Sequence, residues 1–282
     1  MGQCSIPVDL FNPGQVFACM GFLEAAHVLL GDAEGGFDWS NETQARFKLR
    51  AKGNQNPFGV VLDFLSNAQL YRVAPDFYTD PSRAEAGDGP LCTVDTFPAP
   101  EADPKVLPLR LEWNGVRLDV THWCDASSRN SFKLFAGTQR GASIARQMLH
   151  AVRELWNQGQ QKLTSDPLGA TVPLGGSTFK FDARKAWTTI DAGYSPDEQG
   201  NRVHGSPVVE MLAAVGLEHA RPNEFDVRKV RYGVWMGLLP PVLARPLLGG
   251  AHLGIPIRMY RFTLALAGKN KNITFGQEET AP

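Results

Sequence analysis

The sequence predicts an α+β fold, in which a mixed or antiparallel sheet with several hairpins packs against helices. Two observations lead to this prediction: helical and strand-like patterns are mixed along the chain, and turn residues join several neighbouring strands directly. The chain has 282 residues, 43% of them hydrophobic, enough for one large domain or two closely joined ones. We divide it into an N-terminal part (1–73), a middle segment (74–108) and a C-terminal part (109–282).

The N-terminal part is organised around a helix. Asn12 and Pro13 predict its start, because asparagine caps a first turn and proline fits the first helical position. Residues 14–30 are apolar on nearly every side, which predicts a buried helix, and Glu24 and His27 form its one polar stripe. Shorter patterns predict two strands and a second helix, at residues 37–39, 46–50 and 57–67.

The middle segment differs in composition from its neighbours. It contains seven prolines and seven acidic residues and shows little periodicity. Such a stretch is typical of a mobile loop, or of an insertion that becomes ordered on a partner.

The clearest hairpin opens the C-terminal part, at residues 109–123. Asn114 and Gly115 supply a two-residue turn, and the register that follows places Glu112 opposite Arg117. The same register pairs Arg110 with Asp119 and puts four aliphatic residues on the other face: Leu109, Leu111, Leu118 and Val120.

A strand, a glycine-bearing turn and a helix are predicted next, at 132–135, 137–141 and from about Ser143, which we expect to cap the helix. Free amides at a helix start suit a phosphate, so this turn is a candidate nucleic-acid contact. The candidate residues here are Gln139, Arg140, Gly141, Arg146 and Arg153. The alternative is an ordinary strand-to-helix turn with arginines in water.

The last part of the chain carries an excess of positive charge. Residues 221–275 contain nine Lys and Arg but only two acids, Glu224 and Asp226, whereas residues 1–45 contain six acids and no Lys or Arg. We predict a helix at 206–220, a strand at 227–235, a short helix at 242–248 and a hairpin formed by 257–266 and 273–275. The candidate nucleic-acid contacts in residues 221–275 are Arg228, Lys229, Arg231, Arg258, Arg261, Lys269 and Lys271.

Basic and aromatic residues also alternate in four stretches: 46–48, 132–133, 179–181 and 258–262. A sheet face with cations and exposed rings can hold single-stranded nucleic acid through phosphate contacts and stacking. The alternative, that the rings lie in the core and the charges in water, is the commoner outcome for any one strand. The pattern therefore favours a binding protein over an enzyme only modestly.

Catalytic and metal-binding patterns are weak. His122, Cys124 and Asp125 lie close in sequence, but His122 falls on the apolar face of the hairpin; His204 stands near Ser206, which is better explained as a helix cap. No ligand spacing typical of a metal site is present, so we expect no metal and no cofactor.

The compartment can be inferred from cysteines and apolar runs. The cysteines lack metal spacing, and we interpret them as reduced thiols of a cytoplasmic protein: Cys4, Cys19, Cys92 and Cys124. No cationic region precedes an apolar stretch at the start, and the run at 16–30 is short for a bilayer span, so we expect no membrane role.

A resemblance to a known family adds to these inferences. The blocks that carry it are IPVDLFNPGQVFACMGFLEAA, SFKLFAGTQRGASIARQML, FDARKAWTTIDAGYSPDEQG, SPVVEMLAAVGLEHARP, VRYGVWMGLLPPVLARPLLGG and RFTLALAGKNKNITF. Together they resemble a CRISPR-associated protein family of subtype I-U, also called I-G. The resemblance covers most of the chain except the middle segment.

The resemblance implies a subunit of a bacterial antiviral surveillance complex (Cascade) that contains guide RNA, and it carries over no catalytic residue. The expected partners are guide RNA, target DNA and other CRISPR-associated subunits. Two alternatives stay open: an RNA-processing endonuclease that uses His27, His122 or His204 as general acid or base, and a purely structural subunit whose acidic N-terminal half docks on a basic partner.

Overall fold

The computed structural model confirms the α+β class. It describes residues 1–41, 43–79, 89–125, 132–174, 177–185 and 203–279, with the side chain of 267 left out. The helices in this part of the chain are α1 (Pro13–Leu30), α2 (Pro57–Asn67), α3 (Gly141–Gln158), α4 (Gln160–Ser165), α5 (Pro207–His219) and α6 (Pro241–Leu248), with a 3-10 turn at Ala183–Lys185.

The strands among the described residues form four sheets. Their bounds are β1 (Gly2–Pro7), β2 (Glu34–Asp38), β3 (Arg46–Ala51), β4 (Gln69–Pro75), β5 (Leu91–Val94), β6 (Leu109–Trp113), β7 (Val116–Val120), β8 (Val172–Pro173), β9 (His204–Gly205), β10 (Asn223–Asp226), β11 (Lys229–Trp235), β12 (Ile257–Ala267), β13 (Asn270–Ile273) and β14 (Gln277–Glu278). The sheet orders are β1-β3-β2, β5-β4-β6-β7, β8-β9 and β10-β11-β12-β13, with β14 also pairing with β12.

The predicted hairpin at 109–123 is confirmed in its register. Glu112 lies opposite Arg117, and Arg110 lies opposite Asp119 with 2.8 Å between Nε and Oδ1. That hydrogen bond raises the pKa of Arg110, so the guanidinium stays charged. The four aliphatic residues predicted for the other face are buried.

The middle segment is not a loop throughout. β5 lies within it and pairs in parallel with β4, from Arg72 opposite Leu91 to Pro75 opposite Val94. Residues 80–88 of this segment lie outside the described residues. The prediction of a loop was wrong for β5 because a short edge strand needs only a few residues and no clear alternation.

Helices α1 and α5 cross at the centre of the core with their backbones in close contact. A Cβ atom added at Gly21 would lie 2.0 Å from the carbonyl oxygen of Leu212, and one at Gly216 would lie 2.2 Å from that of Phe17. Only glycine permits such an approach, which explains the glycine in each apolar helix.

Helix α1 is long and apolar enough to cross a membrane by length and composition, and it is the one such helix among the described residues. Of the 18-residue stretch that meets this test, 78% is buried inside the protein. Its predicted polar stripe is also divided: Glu24 is buried and accepts two hydrogen bonds from Arg245, whereas His27 is exposed.

Four local predictions were wrong. Residues 132–135 and 179–181 form no strand, although the Leu134 carbonyl accepts a hydrogen bond from the Lys271 amide. Asn12 precedes α1 as predicted, but its side chain makes no cap; it donates to Asp182 and accepts from the Ala183 amide instead. Helix α3 begins at Gly141, so Arg140, not Ser143, holds the cap position.

Candidate nucleic-acid interface

Strands β11 and β12 place basic side chains on one face of the five-stranded sheet. Their antiparallel register sets Arg231 opposite Arg261 and Lys229 opposite Thr263. Because side chains alternate across a strand, the neighbours of these residues point into the core. Those buried neighbours are Val230, Tyr232, Tyr260 and Phe262.

Helix α6 covers one end of this face. A Cβ atom added at Gly233 would lie 2.3 Å from the carbonyl oxygen of Leu247, which shows how closely the helix lies on β11. Trp235, farther along the same face of β11, is fully buried. No described helix covers the other end, and we call its residues the outer face: Phe225, Lys229, Arg231, Arg261, Thr263, Thr274, Phe275 and Gln277.

The outer face surrounds a shallow cavity of about 370 Å³, lined by all these residues except Arg231, and by Phe262. Phe225 is 40% exposed and Phe275 is 50% exposed. The hydroxyl of Thr274 donates to the Thr263 carbonyl at 2.8 Å, which ties the segment after β13 to β12. The cavity is therefore polar and basic at its floor and aromatic at its sides.

The three cations of the outer face differ in their partners. Lys229 forms an ion pair with Asp226 at 2.8 Å, and this hydrogen bond lowers the pKa of Asp226. Arg231 forms an ion pair with Glu279 at 2.6 Å, and its guanidinium lies 4.5 Å from the centre of the Phe225 ring. Arg261 is exposed and forms no ion pair with any residue that the structure describes. It is the cation most available to an anionic ligand.

Two other predicted contacts, Arg228 and Arg258, lie outside the outer face. Arg228 is exposed in the turn between β10 and β11, with a φ angle of 60°. Arg258 lies 5.3 Å from the Trp39 ring and 3.6 Å from Glu278. It lines a separate cleft of about 800 Å³ that also includes Phe11.

The turn of the last hairpin is shorter than predicted, so only one of its two predicted lysines lies in the turn. The predicted strands, 257–266 and 273–275, left six residues for the turn, which occupies only Gly268 and Lys269 because β12 extends to Ala267 and β13 begins at Asn270. Lys269 is exposed, whereas Lys271 lies half-buried on β13, where burial lowers its pKa.

The glycine-bearing turn before α3 lines a further cleft of about 570 Å³, with Gln139, Arg140 and Ser143 among its residues. Gly137, not Gly141, has the positive φ angle, of 72°. The Gly141 amide donates to the Lys105 carbonyl at 2.9 Å, so it is not free for a phosphate. Phosphate binding at this turn stays a prediction.

Arg146 and Arg153, predicted to act alike on α3, have different surroundings. Arg146 is exposed. Arg153 donates to the carbonyl oxygens of Ser66, at 2.7 Å, and Ala68, and it thereby satisfies the C-terminal end of α2. The structure gives Arg153 a role in folding.

The rings of the four alternating stretches lie in the core. Phe47, Phe132, Phe179, Phe181, Tyr260 and Phe262 are all buried. The alternative weighed for these stretches, rings inward and charges outward, is the arrangement observed. Two other rings, Phe225 and Phe275, are exposed and line the cavity together with Lys229 and Arg261. Phe225 lies where β10 is irregular and Phe275 follows β13, so neither belongs to an alternating pattern in the sequence.

The three histidines considered as general acids or bases lie on different elements. His27 is exposed near the end of α1, and His204 is exposed on β9. His122 is buried, which lowers its pKa, and its Nδ1 lies 3.7 Å from Glu218. Burial also raises the pKa of the neighbouring Cys124, which keeps it a neutral thiol.

The described residues contain no group of three or more His, Cys, Asp or Glu arranged to hold a metal ion.

Ser206 caps α5, as predicted, by accepting a hydrogen bond from the Val209 amide at 3.3 Å. The cap, which was preferred over a nucleophile paired with His204, is the role observed for this hydroxyl. Comparison of the chain with protein-family models, with curated proteins and with solved structures gave no match.

Proposed function

We propose that the protein is a non-catalytic, cytoplasmic subunit of a type I-U (I-G) CRISPR effector complex. In this proposal the outer face holds the backbone of guide RNA or target DNA, and other surfaces hold partner subunits. The observation that carries the proposal is the basic end of the β10–β14 sheet, which no described helix covers and which has Arg261 at its centre. The family resemblance of the sequence blocks supplies the biological setting.

The chemistry of the outer face suits a phosphate backbone. A guanidinium presents several donors in a planar fork that matches phosphate oxygens, and that of Arg261 forms no ion pair with a described residue. Thr263 and Gln277 add neutral hydrogen-bonding groups around it. In guide-containing complexes base pairing supplies sequence recognition, while protein contacts the backbone.

The endonuclease alternative has no comparable observation in its favour. It would require a histidine placed beside a second catalytic group at an accessible surface. Replacement of His27, His122 and His204 by alanine, one at a time, followed by a guide-maturation assay, tests it directly. We expect unchanged processing, and loss of cleavage in an exposed-histidine variant that remains folded would contradict the proposal.

Purification of the tagged protein from cells that contain the antiviral system, followed by mass spectrometry and nucleic-acid extraction, tests the main proposal. We expect guide RNA and other CRISPR-associated subunits in the purified material. The variant Arg261→Gln should reduce the nucleic acid retained, whereas Arg117→Gln, at an exposed arginine on β7, serves as the matched control. Recovery of the protein alone at low salt would contradict the proposal.

A further inference from the structure

Two exposed phenylalanine rings border the outer face on opposite sides. Phe225 lies in β10 where the register with β11 shifts between Glu224 and Asp226, and its ring packs against the Arg231 guanidinium. Such a bulge redirects a side chain relative to a regular strand. Phe275 lies between β13 and β14, beside β12.

The two phenylalanines stand on segments that are not neighbours in the sheet. The strands β10, β11 and β12 and the segment that contains Phe275 are side by side, so the two backbones are three strand spacings apart, roughly 14 Å. Each ring is exposed and can stack a separate base. Between them lie Lys229, Arg261 and Thr263, at the floor of the cavity.

The acids around the face limit its attraction for a duplex. Asp226 and Glu279 neutralise Lys229 and Arg231, so the positive charge is concentrated at Arg261. Sequence-independent binding of a duplex depends on many phosphate contacts. The bases of a duplex are also stacked on one another, so their faces are not available to a side chain.

Building on the proposed function, we propose that the outer face binds single-stranded rather than double-stranded nucleic acid. One base stacks on Phe225, another stacks on Phe275, and the phosphate between them contacts Arg261. The strand of nucleic acid crosses the β-strands of the sheet. Because every base has a stacking face, this site has little sequence preference.

Fluorescence anisotropy with the purified full chain tests this proposal. The probes are labelled single-stranded oligothymidylate and oligouridylate and a mixed-sequence duplex of the same length. We expect both single strands to bind more tightly than the duplex. Phe225→Leu and Phe275→Leu should each weaken single-strand binding by about 5- to 150-fold, since stacking contributes about 1–3 kcal/mol per base.

Three further variants make the result specific. Phe77→Leu changes a ring that is 86% exposed after β4 and should alter neither affinity. Phe225→Trp and Phe275→Trp should bind single strands at least as well as the wild type, because any aromatic ring can stack a base. Thermal unfolding of each variant verifies that the fold is retained.

The outcomes separate this inference from the proposed function. If Arg261→Gln weakens binding but both leucine variants bind like the wild type, the protein binds nucleic acid without stacking, and this inference is overturned alone. Equal affinity for the duplex and the single strands overturns it as well. Absence of any salt-sensitive affinity for nucleic acid overturns both.

Discussion

The crossing of α1 with α5 and the outer face of the β10–β14 sheet differ in how closely other elements cover them. At the crossing, Gly21 and Gly216 bring two backbones together and leave no room for a side chain. On the sheet, Gly233 admits α6 over one end, whereas no described helix covers the outer face at the other end.

This difference separates residues that fold the chain from residues that are free to bind. Two buried carboxylates form ion pairs or hydrogen bonds. Glu24 accepts hydrogen bonds from Arg245, and Asp182 accepts them from Arg184 and from the Ser206 amide. Exposed Arg261 forms no ion pair with a described residue. Changes at the crossing should therefore alter stability, and changes at the outer face should alter binding.

The largest loss of stability is expected from Gly21→Ala. The added methyl group would lie 2.0 Å from a backbone carbonyl oxygen that cannot rotate away, so the helices must separate, at a cost of about 3 kcal/mol. Gly59→Ala is the matched control in α2, where a Cβ atom has 3.6 Å to its nearest neighbour. Denaturant unfolding should show Gly59→Ala at or slightly above wild-type stability. Equal stability of Gly21→Ala and the wild type would contradict the close helix contact.

The next largest effect is a dependence of stability on pH at Glu210. Burial raises the pKa of this residue to about 7, although the Asp182 amide donates to it, and Asp182, Lys180 and Lys185 are the nearby charges. The folded protein thus retains a proton that the unfolded chain releases above about pH 4.5. Stability should fall between about pH 4.5 and 7, by at most about 3 kcal/mol.

Glu210→Gln removes the ionisable group and should remove this part of the pH dependence. Unfolding by denaturant at a series of pH values measures it in both proteins. Glu112→Gln, at a partly exposed position on β6, should retain the wild-type profile. A Glu210→Gln profile identical to that of the wild type would show that Glu210 ionises normally.

Arg153 and Arg146 allow the same comparison within α3, because Arg153 contacts another helix and Arg146 is exposed. Arg153→Gln removes charged hydrogen bonds to the end of α2 and should destabilise the protein by about 2 kcal/mol. Arg146→Gln changes an exposed side chain and should alter stability by less than about 0.5 kcal/mol. Thermal or denaturant unfolding of the two variants side by side measures the difference. Similar small losses in both would remove the proposed role of Arg153 in α2.

The smallest effects on stability are expected at the outer face. Arg261→Gln and Phe275→Leu change exposed side chains, so each should alter the free energy of unfolding by about 0.5 kcal/mol or less. Their effect should appear in nucleic-acid affinity. A large loss of stability in either variant would place that residue among those that fold the chain.

Much of the fold could be predicted because local signals agreed with the tertiary structure. The Asn114–Gly115 turn fixed its hairpin register, and the apolar helix at 14–30 is the centre of the core. The two mistaken strands, 132–135 and 179–181, have the right residue types, but most of their rings fill the core from irregular backbone. Hydrophobic alternation cannot distinguish that packing from a strand.

The candidate site was predicted only in part. Lys229, Arg231 and Arg261 were found from charge, but their neighbours across the sheet depend on the pairing of β11 with β12. No sequence pattern indicated Phe225 and Phe275, because Phe225 lies at a bulge in β10 and Phe275 lies in the segment between β13 and β14. No sequence signal indicated the structural contacts of Arg153, because its partners, Ser66 and Ala68, lie far away in sequence.

The salt dependence of binding tests the central claim most directly. The affinity of the wild type and of Arg261→Gln for single-stranded oligothymidylate should be measured over a range of salt concentrations, with Arg117→Gln as control. The wild type should bind less tightly as salt rises, and Arg261→Gln should show a slope of log affinity against log salt that is smaller by about 0.7, the value for one phosphate contact. An unchanged slope in Arg261→Gln would contradict the claim that the outer face holds the backbone of nucleic acid.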